Sequence, residues 1–316
     1  MTAGVHSKLE HTPISFFTTA MGAFGLSLAA RAGGFEVASS VVGAVATALL
    51  VILFAVFALK FLRHRAAVVA EWSHPVKLAF FPAASISLLL MASFLHPIAP
   101  EAARPVWLLG AALQGVLTVV VISAWISHRA FGPGQLSPAW FIPAVGNVMA
   151  PFGGIPLGYI EFSWYFFAVG ILFWLVLLTL VFNRLIFHDP MPGKLRPTIV
   201  ILIAPPALAF LTWVQFHNGS IDAAARVLIN LGYFFTALVA LQMPAILRLP
   251  FALSFWALSF PLAAITIASF RFAELTGSLV HLVMGYGLLA VLAIVLAVLT
   301  VHTARAIVSG AVFQPD

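Results

Sequence analysis

The chain has 316 residues, 63% of them hydrophobic and only 8% charged, with 15 Lys and Arg against 9 Asp and Glu for a formal net charge of +6. A soluble domain carries about 25% charged residues, so this composition excludes a water-soluble fold and indicates an integral membrane protein surrounded by a lipid bilayer. The cations stand singly at the ends of apolar runs, which excludes nucleic acid as a partner, and the lack of cysteine removes disulfides, thiolate metal sites and cysteine nucleophiles.

A helix crosses the bilayer core in about 20 residues, and ten such runs follow one another along the chain. The first, 14–31, contains "SLAARAGG" and follows Lys8, a pattern shared with cleaved signals, but the run exceeds the usual h-region of about 7–15 residues and is expected to be a retained span. The second, 37–60, ends at the connector "RHRAAVVAEWSHP". Spans 76–95 and 104–128 are divided by "HPIAPEAAR" and closed by "HRAFGPGQLSP". The fifth, 140–158, is rich in breakers ("PAVGNVMAPFGGIPLGY"), and the sixth, 161–186, leads into "HDPMPGKLRP". The last four are 197–216, 223–247, 250–270 and 275–303, with Glu161 and Asp222 at helix starts favoured by the helix dipole. Eleven Lys and Arg, Arg129 among them, fall on the side of the N-terminus against four (Arg31, Arg104, Arg226, Arg271) on the other, which puts both termini in the cytoplasm.

Odd and even spans differ in kind. The even ones are runs such as "LLVILFAVFALKF" and "LLAVLAIVLAVLT", whereas the odd ones hold small residues and the prolines at 82, 143, 151, 156, 205, 206 and 261; the only even one is Pro244, near a helix end. A proline inside a helix removes a backbone hydrogen bond at a cost of about 3 kcal/mol, and broken backbone survives in a membrane only inside protein or beside an aqueous cavity. The odd spans are therefore expected inside and the even ones outside, as five helical hairpins around a central pore, an all-α fold with pseudo-five-fold symmetry. The candidate pore-lining residues are Pro82, Pro143, Pro151, Pro205, Pro206 and Pro261, with the small or polar Gly22, Ser85, Asn147 and Ser259.

No Asp, Glu, Lys or Arg lies deep in any of these spans, which favours passive flow through a neutral pore over proton-coupled transport. Helix breaks expose amide N–H groups that attract anions and carbonyls that do not. His281 is expected to be a hydrogen-bonded inter-helix residue, and the other histidines lack metal spacing. No nucleophile–base set or phosphate loop is present, so no enzyme activity and no cofactor or metal is expected.

Four stretches, "WSHPVKLAFF" (72–81), "WFIPAVGNV" (140–148), "ILIAPPALAF" (201–210) and "FWALSFPLAA" (255–264), together resemble the tellurite-resistance/dicarboxylate transporter family. Its bacterial TehA-type members are homologues of the slow anion channels of plant guard cells. The resemblance implies a homotrimer in the bacterial inner membrane, one pore per protomer lined by the five odd helices, and a phenylalanine on the ninth helix that occludes it. The matching residue is Phe260. The first helix of bacterial relatives carries a proline where this chain has Ala20, so a straighter first helix is expected. The implied activity is passage of small inorganic anions of the chloride and nitrate class. The alternatives are a coupled exporter of an oxyanion (tellurite, sulfite) or a C4-dicarboxylate (malate), and a membrane sensor without transport. All five hairpins run in the same sense, unlike the inverted repeats of many carriers, which favours the channel.

Overall fold

The structure, a computed structural model, describes residues 8–127 and 132–313, and Arg129 with the preceding His128 lies outside them. Every described secondary-structure element is helical: α1 (Phe17–Ala32), α2 (Glu36–Arg63), α3 (Arg65–Ser73), α4 (Ala83–Leu95), α5 (Pro100–Ile126), α6 (Phe141–Val145), α7 (Met149–Gly154), α8 (Ile160–Phe187), α9 (Ala204–Phe216), α10 (Ala223–Ile246), α11 (Ser259–Thr276) and α12 (Leu279–Val308). Short 3₁₀ stretches lead into the odd segments, at Ile14–Phe16, Lys77–Phe80, Pro138–Trp140, Gly193–Ile203 and Leu253–Leu258.

Among the described residues, eight helical segments are long and apolar enough to cross a membrane. The first and fifth expected spans are not among the eight. Helix α1 has only 16 residues, and the fifth is cut into α6, a 3₁₀ turn (Gly146–Val148) and α7. The inside–outside alternation is pronounced. In the most apolar stretch of α2, α5, α8, α10 and α12, 22–33% of residues are buried, against 67–78% for Lys77–Leu95, Gly193–Phe216 and Leu253–Thr276. Exposed residues such as Val51, Val119, Leu175, Leu241 and Ile294 give the even helices an apolar surface suited to lipid.

The prolines sit elsewhere in the helices than the sequence implies. Pro82 is the N-cap of α4, Pro205 and Pro206 follow the first residue of α9, and Pro143, Pro151 and Pro261 are third in α6, α7 and α11. A helix's first turn has N–H groups without an intrahelical partner, so proline there costs little and marks the restart of an α-helix after a 3₁₀ or broken stretch. The expected interior break is instead a change of helix type. Consistent with Ala20, α1 is α-helical without a break from Phe17 onward.

Three further departures have local causes. The connector after α2 forms the nine-residue helix α3, because "RAAVVAEWS" holds no glycine or proline. Helix α5 starts at Pro100, four residues early, which moves Pro105 from the start of its expected span into the interior of an even helix. Helix α11 runs to Thr276, where Gly277 in the left-handed region (φ 68°) ends it, and so includes Arg271 and Glu274. Asp222 caps α10, its carboxylate accepting from Ala225 N–H at 2.8 Å and from the Trp213 indole at 3.0 Å. These bonds favour the ionised form and hold its pKa below the ordinary carboxylate value.

Helix α1 packs against α2, α4 and α11; α4 packs against α5 and α7, α7 against α8 and α9, α9 against α10 and α11, and α11 against α12. A buried ion pair fastens one end. Lys60, near the end of α2 and 1% exposed, donates from Nζ to Glu71 Oε2 at 2.9 Å and to the Thr12 carbonyl at 2.8 Å, while Glu71 Oε1 accepts from Ile14 N–H at 3.4 Å. This ties α2 and α3 to the segment that enters α1. Lys60→Met leaves Glu71 buried without its counter-charge and is expected to lower stability by about 3–5 kcal/mol. Thermal unfolding in detergent checks this, and K60M/E71Q is expected to recover part of the loss.

Candidate functional site

The odd segments enclose a small cavity. Its wall takes Thr18 from α1, Phe80 from the turn before α4, Val145 from α6, Pro205 from α9, and Phe260 and Pro261 from α11. All five odd segments therefore contribute to one surface, which is apolar apart from Thr18 and carries no ionisable side chain among the described lining residues. The cavity is about 60 Å³, far below the roughly 300–1,000 Å³ of a ligand pocket.

Phe260 reaches this wall because glycines on α1 let α11 come close. A Cβ on Gly22 would stand 2.4 Å from Ser259 Oγ, and one on Gly25 would stand 2.9 Å from Ala263 Cβ and 3.6 Å from the Phe260 ring. Gly22 and Ser259 thus form the α1–α11 contact rather than the wall, and Ser259 Oγ donates to the Trp256 carbonyl at 2.6 Å. Trp256 is held in turn by its indole N–H donating to Thr303 Oγ1 on α12 at 2.9 Å.

The other expected polar residues meet at a different place. Ser85 Oγ donates to Gln114 Oε1 at 2.7 Å, and Gln114 Nε2 and Thr118 Oγ1 on α5 donate to the Pro143 carbonyl at 3.3 and 2.8 Å. Asn147 Nδ2 donates to Thr118 Oγ1 at 2.9 Å and to the Ala144 carbonyl at 2.7 Å. Seven residues before Gln114 on the same helix, Trp107 Nε1 donates to the Ala150 carbonyl at 2.9 Å. The polar atoms of Ser85 and Asn147 therefore turn toward α5 and away from the cavity. There Asn147 serves a carbonyl of the broken fifth segment, and Ser85 binds the Gln114 side chain that serves another. Pro82, Pro151 and Pro206 are buried nearby without being part of the wall.

The α5 stripe escaped the sequence reading, although Trp107, Gln114 and Thr118 fall at helical spacings of seven and four in an otherwise apolar run. At the breaks themselves the backbone donors are largely in use, as Phe81 N–H donates to Leu78 O at 3.3 Å and Ala84 N–H to Phe81 O at 3.2 Å. His281 bonds Ser278 Oγ at 2.7 Å and packs its ring 4.3 Å from Phe272 and 5.7 Å from Tyr233, an inter-helix role. Gln114→Leu leaves Ser85 without its α5 partner and the Pro143 carbonyl with fewer donors. It is expected to cost about 1–3 kcal/mol and to speed hydrogen exchange across residues 141–154, read by mass spectrometry.

The family model described as voltage-dependent anion channel matches residues 11–304. S-type anion channel SLAH3 of Arabidopsis thaliana is 28% identical over 264 residues, covering 82% of this chain and 41% of the plant protein. An uncharacterized transporter of Methanocaldococcus jannaschii is 24% identical over 291 residues, 84% of each chain. A tellurite resistance protein TehA homolog of Haemophilus influenzae is 24% identical over 266 residues, covering 82% of this chain and 81% of the relative. The chain spans less than half the length of SLAH3 and most of the length of the archaeal and bacterial relatives. With nearly all of its helices inside the matched region, the chain belongs to the voltage-dependent anion channel family, as a relative of the TehA-type proteins and the plant S-type anion channels.

Proposed function

We propose that the protein is an anion channel whose pore runs along the axis shared by the five odd segments, with Phe260 as its gate. The observation that carries this reading is the narrow apolar cavity walled by all five odd segments, Phe260 among them. The packing supports ten crossings arranged as five hairpins with pseudo-five-fold symmetry. In this arrangement α1, α4, α7, α9 and α11 follow one another around the axis, and α2, α5, α8, α10 and α12 back them in turn. The basic residues favour cytoplasmic termini in a bacterial inner membrane, and the resemblance favours a homotrimer with one pore per protomer.

Permeation through such a wall is governed by dehydration. No fixed charge repays an anion for the water it sheds, and an aromatic ring across a narrow apolar passage blocks by sterics and by excluding water. Small monovalent anions of the chloride and nitrate class are the substrates this supports. A proton-coupled exporter needs a titratable group along its path, and the described cavity wall has none.

Phe260→Ala is expected to raise anion flux at least about tenfold, the change produced by taking about 1.4 kcal/mol off a barrier. Purified protein in liposomes or planar bilayers checks this, and unchanged currents would remove the gate. In the same assay weakly hydrated nitrate and iodide are expected to pass more readily than fluoride or sulfate, and flux is expected to be insensitive to an imposed proton gradient. A permeability order led by the strongly hydrated anions contradicts a neutral pore.

A further inference from the structure

A second, larger cavity of about 520 Å³ opens where the odd segments end. Ala32 is the last residue of α1, Phe152 lies near the end of α7, Gln215 near the end of α9, and Arg271 and Glu274 in the last two turns of α11; Tyr286 of α12 completes one side. Helix C-termini carry carbonyls without intrahelical partners and a partial negative charge. Several of them converge here, which makes the mouth unwelcoming to an anion. Gln215 adds to this, since its Nε2 donates to the Phe152 carbonyl at 3.4 Å while its buried Oε1 has no hydrogen-bond donor among the described residues.

Arg271 is the one cation among the described residues lining this mouth, and Glu274 the one acid. Arg31, at the end of α1, is already committed. Its Nη1 donates to the Phe94 carbonyl at the end of α4 at 3.1 Å, and its Nε lies 3.6 Å from Glu36. Arg271 Nη1 donates to Glu274 Oε2 at 2.7 Å, and the two side chains differ in exposure, 34% for Arg271 against 66% for Glu274. Arg271 is the more sheltered of the two, and the Glu274 carboxylate can swing into water at little cost, because an exposed ion pair is worth about 0–1 kcal/mol.

We infer that Arg271 is the anion-receiving group of this mouth, and that Glu274 is a tethered counter-ion competing with the arriving anion for it. The inference rests on the pore reading above and adds to it a site and a controlling residue. Arg271 lies eleven positions after Phe260 on α11, about 17 Å along a helix axis. At physiological salt the Debye length is about 8 Å, so Arg271 acts on the local supply of anions and not on the gate.

The test uses the Phe260→Ala channel in planar bilayers with chloride as the permeant anion. At about 0.01 M salt, where charges act over about 30 Å, R271Q is expected to lower conductance about threefold and E274Q to raise it about threefold. This is the effect of one unit charge about 6 Å away in a water-like medium. R271K is expected to retain most of the conductance. Both changes are expected to be larger for anions entering at this mouth and to fade at about 1 M salt, where the Debye length is about 3 Å. Conducting F260A channels whose low-salt currents ignore both substitutions, or change equally at high salt, overturn the inference and leave the pore reading standing. A silent F260A channel overturns both. Should R271Q fail to fold, the opposite-signed effect of the more exposed Glu274 decides.

Discussion

A broken backbone in an apolar medium must find its hydrogen bonds from its neighbours, and the interior of this molecule is arranged around that requirement. The fifth segment is the extreme case: two short helices and a 3₁₀ turn between residues 141 and 154, holding Pro143 and Pro151. Its carbonyls are met by Trp107, Gln114 and Thr118 from one side and by Gln215 from the other. Helix α5 thus has two faces with different solvents, one turned outward with Leu109, Val116 and Val119 exposed, the other carrying a polar stripe for the broken backbone. Without that stripe the fifth segment would have no reason to keep its irregular path, and the cavity would lose the wall that Val145 supplies.

Close approach does for the ninth segment what hydrogen bonding does for the fifth. Gly22 and Gly25 on one face of α1 remove the side chains that would hold α11 away, and Ser259 and Ala263 fill the room they leave. The spacing of three residues keeps both glycines toward the same neighbour. Phe260 is the second residue of α11, just past the 3₁₀ stretch Leu253–Leu258, so the aromatic ring stands close to the junction of two helix types. The wall around that ring carries no charge among its described lining residues.

Much of the architecture could be read directly from residue order. The even helices are long and predominantly apolar, and their ends carry Glu36, Glu161, Arg184 and Arg305 where the dipole favours them. Which odd-segment residues face the cavity was far less legible. Successive residues turn by about 100° in an α-helix and about 120° in a 3₁₀ helix. A segment that changes type part-way therefore scrambles the phase on which a face is read, and Ser85 and Asn147 point at α5 for this reason. The prolines advertised a discontinuity, but they mark where α-helix begins and not where it fails. Gln114 left too faint a trace, since one amide in an apolar run says nothing about its partner.

The stretch Gly193–Ile203 is an eleven-residue 3₁₀ helix joined end to end with α9, where runs beyond about four residues are uncommon. A 3₁₀ residue rises about 2.0 Å and an α residue about 1.5 Å. Moving the junction by one residue therefore shortens the rod by about 0.5 Å and rotates everything beyond it by about 20°. Geometrically the seventh segment is a screw thread. Travel along the segment's own axis is coupled to rotation, and Pro205 on the cavity wall lies two residues past the junction where that thread changes pitch.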